Sequence, residues 1–253
     1  MESKYMRMMQ IVRGAAAILV LAAVSAPAWA QGTIRSVAHV RVKRDRTADF
    51  QAAVRDMVEL YKKAGSARSF TMWSATTGPS EFVVVSYVAK YAEMDQTMDP
   101  KMKDHQGAMA AIGARLNSCA ESMDTEIHTM VPELTSPAGA APPAYVRAGR
   151  TTVAPGKMNE VLDLFKNEMV PAWKKAGISA YGVARVRYGA PNNQIHTFTA
   201  MKGWADLDGP PPVETAMGAA AYQAFLTKIR AVTLRTEYTI YRYRANMSYI
   251  AAQ

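Results

Sequence analysis

The chain has 253 residues, of which 49% are hydrophobic and 20% charged, and its formal net charge is +9. This composition is typical of a globular protein and excludes a disordered tail, a collagen-like repeat and a many-span membrane protein. The single cysteine, Cys119, excludes an intramolecular disulfide and any cysteine-rich zinc or iron–sulfur site.

The first 30 residues have the pattern of a secretory signal peptide. Basic residues precede an apolar run at 14–24, and Ala-Trp-Ala at 28–30 forms a small-x-small cleavage site. The run is too short for the roughly 20 residues that span a bilayer. We therefore predict cleavage before Gln31 and a periplasmic or secreted mature protein. The cleavage point has no cysteine to carry a lipid anchor. No arginine pair precedes the apolar run, so we expect export by the general route, which passes unfolded chains, and a cofactor would have to bind after export.

The excess of basic residues is scattered along the mature chain. Basic residues that bind nucleic acid usually form one dense patch with aromatics, which this sequence lacks. We therefore expect no nucleic-acid partner. Two interpretations remain open: a solvated surface, or weak attraction to anionic envelope lipids or to an acidic ligand.

The mature chain contains an internal repeat. Three short matches between its halves are separated by 112, 113 and 111 residues, an agreement in register that chance rarely produces. The matches are Lys-Lys-Ala-Gly at 62–65 and 174–177, Tyr-Ala-Glu-Met-Asp at 91–95 with Trp-Ala-Asp-Leu-Asp at 204–208, and Thr-Glu at 125–126 and 236–237.

Hydrophobic periodicity predicts the order β-α-β-β-α-β in each copy. The glycine that closes each Lys-Lys-Ala-Gly string is predicted to adopt positive φ at a helix end. In the first copy we predict strands at 34–43, 69–76, 81–88 and 124–132, and helices at 47–64, 91–96 and 101–121. In the second copy we predict strands at 144–153, 180–188, 194–201 and 233–245, and helices at 157–176 and 214–230.

This order predicts an α+β protein built from two tandem ferredoxin-like (split β-α-β) repeats. They occupy residues 31–134 and 144–247, and the Pro- and Ala-rich segment 135–143 is a linker by composition. A sheet with helices on one face leaves its other face bare, so the two antiparallel sheets are expected to pair into an intramolecular barrel. Whether this internal pair assembles further into a homo-oligomer stays open.

The chain resembles the dimeric α+β barrel superfamily. The resemblance lies in the order of the elements, in the repeated Lys-Lys-Ala-Gly helix end and in the repeated aromatic-Ala-acid-apolar-Asp string. That superfamily includes antibiotic-biosynthesis-type monooxygenases, NIPSNAP-like proteins and, as fused pairs, the chlorite dismutase group. The resemblance implies a small-molecule ligand between the sheets and oxidation of an apolar or aromatic compound without a cofactor. Two alternatives stay open: a non-catalytic envelope binding or stress-related protein, and a haem-binding barrel with His128 or His196 as the axial ligand.

Sequence motifs exclude several enzyme classes. The chain has no HExxH, GxGxxG, GxxxxGK[ST] or GxSxG string and no pair of histidines at metal-ligand spacing. We therefore predict no metal site, no nucleotide-binding loop and no serine nucleophile.

The first strand of each copy carries the candidate catalytic residues. His39 and Arg41 alternate with Val40, so they face the barrel interior if the apolar side meets the helices. Arg150 occupies the position of His39 in the second copy. We hypothesise that His39 removes a substrate proton while Arg41 or Arg150 holds the resulting anion.

The fourth strands carry the candidate ligand-binding residues. These lie on one face of each strand and are Glu126, His128, Glu237 and Tyr241. Because the first and fourth strands of a split β-α-β sheet are neighbours, His39 is expected near Glu126 or His128. The competing interpretation is that these side chains are structural. His196 lies on a strand whose register the sequence leaves open.

Overall fold

The structure is a computed structural model that describes residues 33–96, 99–137, 139 and 141–251. The predicted signal peptide at 1–30 lies outside the described residues. Within the described part, no helix is both long and apolar enough to cross a membrane.

The strands and helices follow the predicted order. The strands are β1 Ile34–Val42, β2 Thr71–Ala75, β3 Phe82–Val88, β4 Ala120–Met130, β5 Tyr145–Val153, β6 Tyr181–Tyr188, β7 Gln194–Met201 and β8 Thr233–Tyr243. The helices are α1 Thr47–Ala64, α2 Gln106–Cys119, α3 Met158–Leu164, α4 Val170–Lys175, α5 Pro212–Met217 and α6 Ala219–Val232.

Over the described residues, the strands form one closed antiparallel barrel in the order β1-β3-β2-β8-β5-β7-β6-β4. Each repeat contributes a ferredoxin-like sheet, β4-β1-β3-β2 and β8-β5-β7-β6. The sheets join edge to edge: β2 pairs with β8 at Trp73–Ala75, and β4 pairs with β6 at Ile127–Met130. The predicted tandem barrel is therefore confirmed, and closure leaves few exposed strand edges.

The helices cover the outside of the barrel. In α1, Phe50, Val54 and Val58 recur every four residues and form a buried stripe. Phe50 and Val54 pack with Val40 of β1 and Met72 of β2, while a second core lies under the helices of the second repeat. Because the apolar residues of β1 meet the helices, its alternate residues face the lumen.

The predicted glycine helix ends are confirmed. Gly65 follows α1 with φ of 61°, and Gly177 follows α4 with φ of 67°. Only glycine reaches this left-handed region without steric cost, so both Lys-Lys-Ala-Gly strings end a helix for the same reason.

Three predicted helices are interrupted. The one at 101–121 is a 3-10 turn at Pro100–His105 followed by α2, and β4 begins four residues earlier than predicted. The one at 157–176 contains a π-helical turn at Phe165–Met169 before Pro171, which has no N–H to donate. The one at 214–230 is divided at Gly218, whose φ is 86°.

The C-terminal segment returns to the first repeat, which the sequence did not predict. After β8, Met247 is fully buried among the residues beneath α1. Tyr249 pairs with Phe70 as a β-bridge, and its hydroxyl donates to the carbonyl of Ser66 at 2.8 Å. This segment fastens the last strand of the chain to the first repeat.

Asp99 holds the loop after α1 to the turn before α2. Its carboxylate accepts from Ser66 Oγ at 2.7 Å, the Ala67 amide at 2.7 Å and the Lys101 amide at 2.9 Å. We expect Asp99→Ala to lower the free energy of unfolding by about 1–3 kcal/mol, because it leaves buried donors unpaired. Urea unfolding checks this against Asp104→Ala, an exposed position where the change should stay within about 0.5 kcal/mol. Equal effects at the two positions would contradict it.

Candidate functional site

The barrel encloses a lumen of about 650 Å³, within the usual range for small-molecule sites. Arg41 and Asp124 line its open end and are exposed, whereas Trp73 and Phe198 line it further in. Gly182 makes room for the Phe198 ring, since a Cβ there would lie 2.5 Å from that ring. The apolar and aromatic wall consists of Val37, Trp73, Val83, Val85, Tyr87, Val146 and Phe198.

A first polar cluster surrounds His39. Its Nδ1 lies 3.3 Å from Oε2 of Glu81, and the Tyr241 hydroxyl donates to Oε1 of Glu81 at 2.6 Å. Burial by itself would raise the pKa of Glu81, but the hydrogen bonds from His39 and Tyr241 outweigh it and the pKa is lowered. Burial and the neighbouring Glu81 raise the pKa of Tyr241, so its hydroxyl keeps its proton.

This cluster determines which ring nitrogen of His39 carries the proton when the imidazole is neutral. Because ionised Glu81 can only accept, the proton lies on Nδ1 and the lone pair on Nε2. Nε2 is buried and has no hydrogen-bond partner among the described residues. His39 also lines the lumen, so the structure provides an oriented imidazole base beside the cavity.

A second polar cluster centres on Glu126. Arg35 donates to Nδ1 of His128 at 2.8 Å, which leaves the proton of His128 on Nε2. That Nε2 donates to Oε2 of Glu126 at 2.8 Å, and Arg150 donates to Oε1 at 2.7 Å. The ring of His196 lies against that of His128 with their centroids 4.3 Å apart.

The second cluster holds an ionised carboxylate and two neutral imidazoles at neutral pH. Burial opposes ionisation of Glu126, but its hydrogen bond from His128 and the charge of Arg150 lower its pKa to about 2. Burial, reinforced by the charge of Arg35, lowers the pKa of His128 to about 4 despite its bond to Glu126. Burial, followed by the neighbouring His128 and Arg35, lowers the pKa of His196 well below its ordinary value.

Glu126, His128 and His196 are residue types that bind metal ions, and they lie close together. One ligand atom of each lies within 4.8 Å of the others, a convergence that sequence spacing did not reveal. Arg35, however, keeps the proton of His128 on Nε2, the nitrogen that faces Glu126. A metal ion there would have to displace that proton and would lie beside two guanidinium groups. The donor set therefore fits a hydrogen-bonded network and not a metal centre.

The same residues do not fit a haem. Both ring nitrogens of His128 are engaged, by Arg35 and by Glu126. Nε2 of His196 makes no hydrogen bond to the described residues, but Oε2 of Glu126 lies 3.5 Å from it. The carboxylate is therefore next to the place that a haem iron bound to Nε2 would occupy.

The structure also locates the remaining sequence-predicted residues. Arg41, Arg150 and Tyr241 line the lumen, and Glu237 lies exposed near its mouth, paired with Arg235. We expected His39 near Glu126 or His128, and its hydrogen-bonding partner is instead Glu81. The β1–β4 register places His39 opposite Asp124, Val37 opposite Glu126 and Arg35 opposite His128.

Sequence reasoning missed two residues of the site, Glu81 and Arg35, and left the orientation of His196 open. Arg35 is on the same alternation as His39 and Arg41, so periodicity could have included it, whereas Glu81 directly precedes β3, whose inward face the sequence analysis did not assign. His196 required the register, which pairs it with Arg150 on one side and with the small Ala184 on the other.

The second cluster predicts loss of stability in acid. His128 has a lowered pKa in the folded protein, so the unfolded chain binds more protons between about pH 6.5 and about pH 4, and stability falls as the pH drops through this window. Glu126 extends the loss from pH 4.5 towards about 2. Urea unfolding at a series of pH values measures the slope, which His105→Gln, outside the lumen, should leave unchanged. A flat profile between pH 7 and 4 would contradict this assignment.

The fold and its enclosed lumen define the class: a tandem α+β barrel, in which both ferredoxin-like halves come from one chain. No protein-family profile and no curated protein sequence matches the chain. Solved structures do match over most of their length, at identities that show the fold alone.

Two of these structures are provisionally named monooxygenases. The one from Fusobacterium nucleatum subsp. nucleatum ATCC 25586 has a TM-score of 0.60 and 14% identity, covering 83% of this chain and 91% of that one. The one from Lactobacillus acidophilus NCFM has a TM-score of 0.60 and 8% identity, covering 87% and 96%. An anthrone oxidase-like protein has a TM-score of 0.57 and 11% identity, covering 87% and 94%. The chain therefore has a monooxygenase-like barrel fold.

Proposed function

We propose that the protein is an exported oxygenase that works without a bound cofactor on an apolar or aromatic compound held in the lumen. The observation that carries this proposal is His39, oriented by Glu81, with a buried and unpaired Nε2 beside a cavity of about 650 Å³. A base in that position can remove a proton from a carbon acid, and the resulting carbanion is electron-rich enough to react with dioxygen.

An anthrone illustrates the chemistry, since one of the similar structures is named for it. Nε2 of His39 takes a proton from the methylene carbon, and the C–H electron pair moves onto the ring system and its oxygen. The anion reacts with dioxygen; one oxygen atom becomes the new carbonyl and the other leaves as water with the two methylene hydrogens. Anthrone and dioxygen thus give anthraquinone and water.

Arginine side chains can hold the anion formed in this step. The side chain of Arg41 makes no hydrogen bond or ion pair with the described residues and lines the open end of the lumen. Arg150 is engaged by Glu126 through one nitrogen, and about a third of its side chain is exposed (31%). Arg41 is therefore the more available cation, and Arg150 is a fixed positive charge in the same lumen.

The test is to purify the mature protein, record its absorption spectrum and metal content, and follow dioxygen uptake with anthrone. We expect no Soret band, and anthraquinone formed in equal amount to the dioxygen consumed. Labelled dioxygen should place one heavy oxygen in the quinone. Binding of anthrone without uptake would overturn the oxygenase proposal and favour a non-catalytic binding protein; turnover that follows a metal or haem content would overturn its cofactor-free form.

Export is the remaining part of this proposal. The signal pattern at 1–30 supports it, and the strands of the barrel begin at Ile34, after the predicted cleavage point. The mass of the protein recovered from the periplasm or medium should correspond to a chain beginning at Gln31. Recovery of the intact chain from the cytoplasm alone would contradict export.

A further inference from the structure

His196 has a buried nitrogen, Nε2, that makes no hydrogen bond to the described residues. Its ring lines the lumen. The nearest carboxylate oxygen, Oε2 of Glu126, is 3.5 Å away and already accepts from His128 at 2.8 Å. An unpaired buried polar atom costs about 1–3 kcal/mol, so a position of this kind calls for a ligand group that completes it.

The surroundings of His196 make it a neutral donor. Burial, followed by the neighbouring His128 and the positive charges of Arg35 and Arg150, lowers the pKa of His196 well below its ordinary value. The carboxylate of Glu126 beside Nε2 favours the tautomer that carries the proton there. The ring therefore presents an N–H from a neutral imidazole at neutral pH.

His39 and His196 offer complementary groups to one ligand. Nε2 of His39 carries a lone pair, because its Nδ1 donates to Glu81. Both unpaired nitrogens belong to residues that line the same lumen, and His39 is close enough to affect the pKa of His196. The two imidazoles thus suit a molecule that has an acidic hydrogen and, in conjugation with it, an oxygen that gains negative charge.

We propose that His196 is a catalytic residue of the proposed reaction, donating from Nε2–H to the substrate oxygen while His39 removes the proton from carbon. The substrate class is then an enolisable aromatic ketone. The C–H electron pair moves onto the oxygen, the proton goes to His39, and His196 keeps its own proton. This inference rests on the proposed function, which assigns the base and two arginines for the anion but no neutral hydrogen-bond donor.

The first experiment isolates the proton-transfer step from dioxygen. The exchange of the acidic hydrogens of 2-tetralone for deuterium in D₂O, followed without oxygen by NMR, should be accelerated by the wild type and not by His39→Gln. His196→Phe should slow it by about 10²–10³-fold, the usual effect of removing one donor to a developing oxyanion. His196→Gln, which restores an N–H, should recover much of the loss. Melting curves of all variants verify that they fold.

The outcomes separate the two proposals. Exchange at the wild-type rate in His196→Phe overturns the role of His196 and leaves His39 as the base. No exchange in the wild type overturns the proposed base and, with it, this pairing.

A second readout does not require His39 to act. 4-Nitrophenol bound in the lumen should ionise at lower pH in the wild type and in His39→Gln than in His196→Phe, because the donor stabilises the phenolate. Equal ionisation in all three proteins overturns the donor role of His196. His105→Gln serves as the matched histidine control in both experiments.

Discussion

His39→Gln should lower turnover of an anthrone by about 10²–10⁴-fold, the usual contribution of a positioned general base. Glutamine is close in size and can still donate to Glu81, but it has no basic nitrogen at the position of Nε2. The melting temperature should change little, since the side chain is partly exposed (17%) and the contact with Glu81 is long, at 3.3 Å. Steady-state dioxygen uptake beside a thermal melt measures both quantities.

Variants at Glu81 and at His105 serve as controls for the His39 prediction. Glu81→Gln keeps the hydrogen-bonding shape but removes the charge that fixes the proton on Nδ1, so turnover should fall while the base remains present. His105→Gln, remote from the lumen, should turn over at the wild-type rate. Wild-type turnover in His39→Gln would show that His39 is structural or idle, and the proposed site would be lost with it.

Glu126→Ala should destabilise the barrel by about 3 kcal/mol, the lower end of what breaking a buried ion pair costs. The change leaves two donors without their carboxylate acceptor: the Nε2–H of His128, which is fully buried, and the guanidinium of Arg150. The loss stays at the lower end because Arg150 is partly exposed and can be hydrated. Urea unfolding at neutral pH gives the difference in the free energy of unfolding.

The second repeat provides a matched control. Glu237 occupies the position equivalent to Glu126, but its side chain is half exposed and pairs with Arg235 at the surface. Glu237→Ala should therefore change the free energy of unfolding by no more than about 0.5 kcal/mol. Equal losses at both positions would mean that the buried network around Glu126 does not contribute what its contacts indicate.

The sequence predicted some local features of the site and of the helices. The alternation of β1 predicted the inward face of His39 and Arg41, because side-chain direction along a strand has a period of two and is a local property. Pro171 and Gly218, at which two helices are interrupted, are also visible in the sequence. The hydrophobic periodicity around them nevertheless predicted continuous helices.

The sequence by itself determined the architecture of this protein. The repeat offset, the strand and helix order and the glycine helix ends predicted two ferredoxin-like units whose sheets form a barrel, and the structure has that form. Each of these signals is local or repeats within the chain, so no knowledge of distant contacts was needed.

Only the tertiary structure decided which side chains meet. The partner of His39 is Glu81, because the register of β1 against β3 places Val83 opposite His39 and Glu81 two residues before Val83 on the same face. His128 of β4 and His196 of β7 come together across β6 only because the edge strands of the two repeats pair and close the barrel. Periodicity specifies the face on which a side chain lies, but register and closure determine its neighbours, and these depend on contacts between residues far apart in the chain.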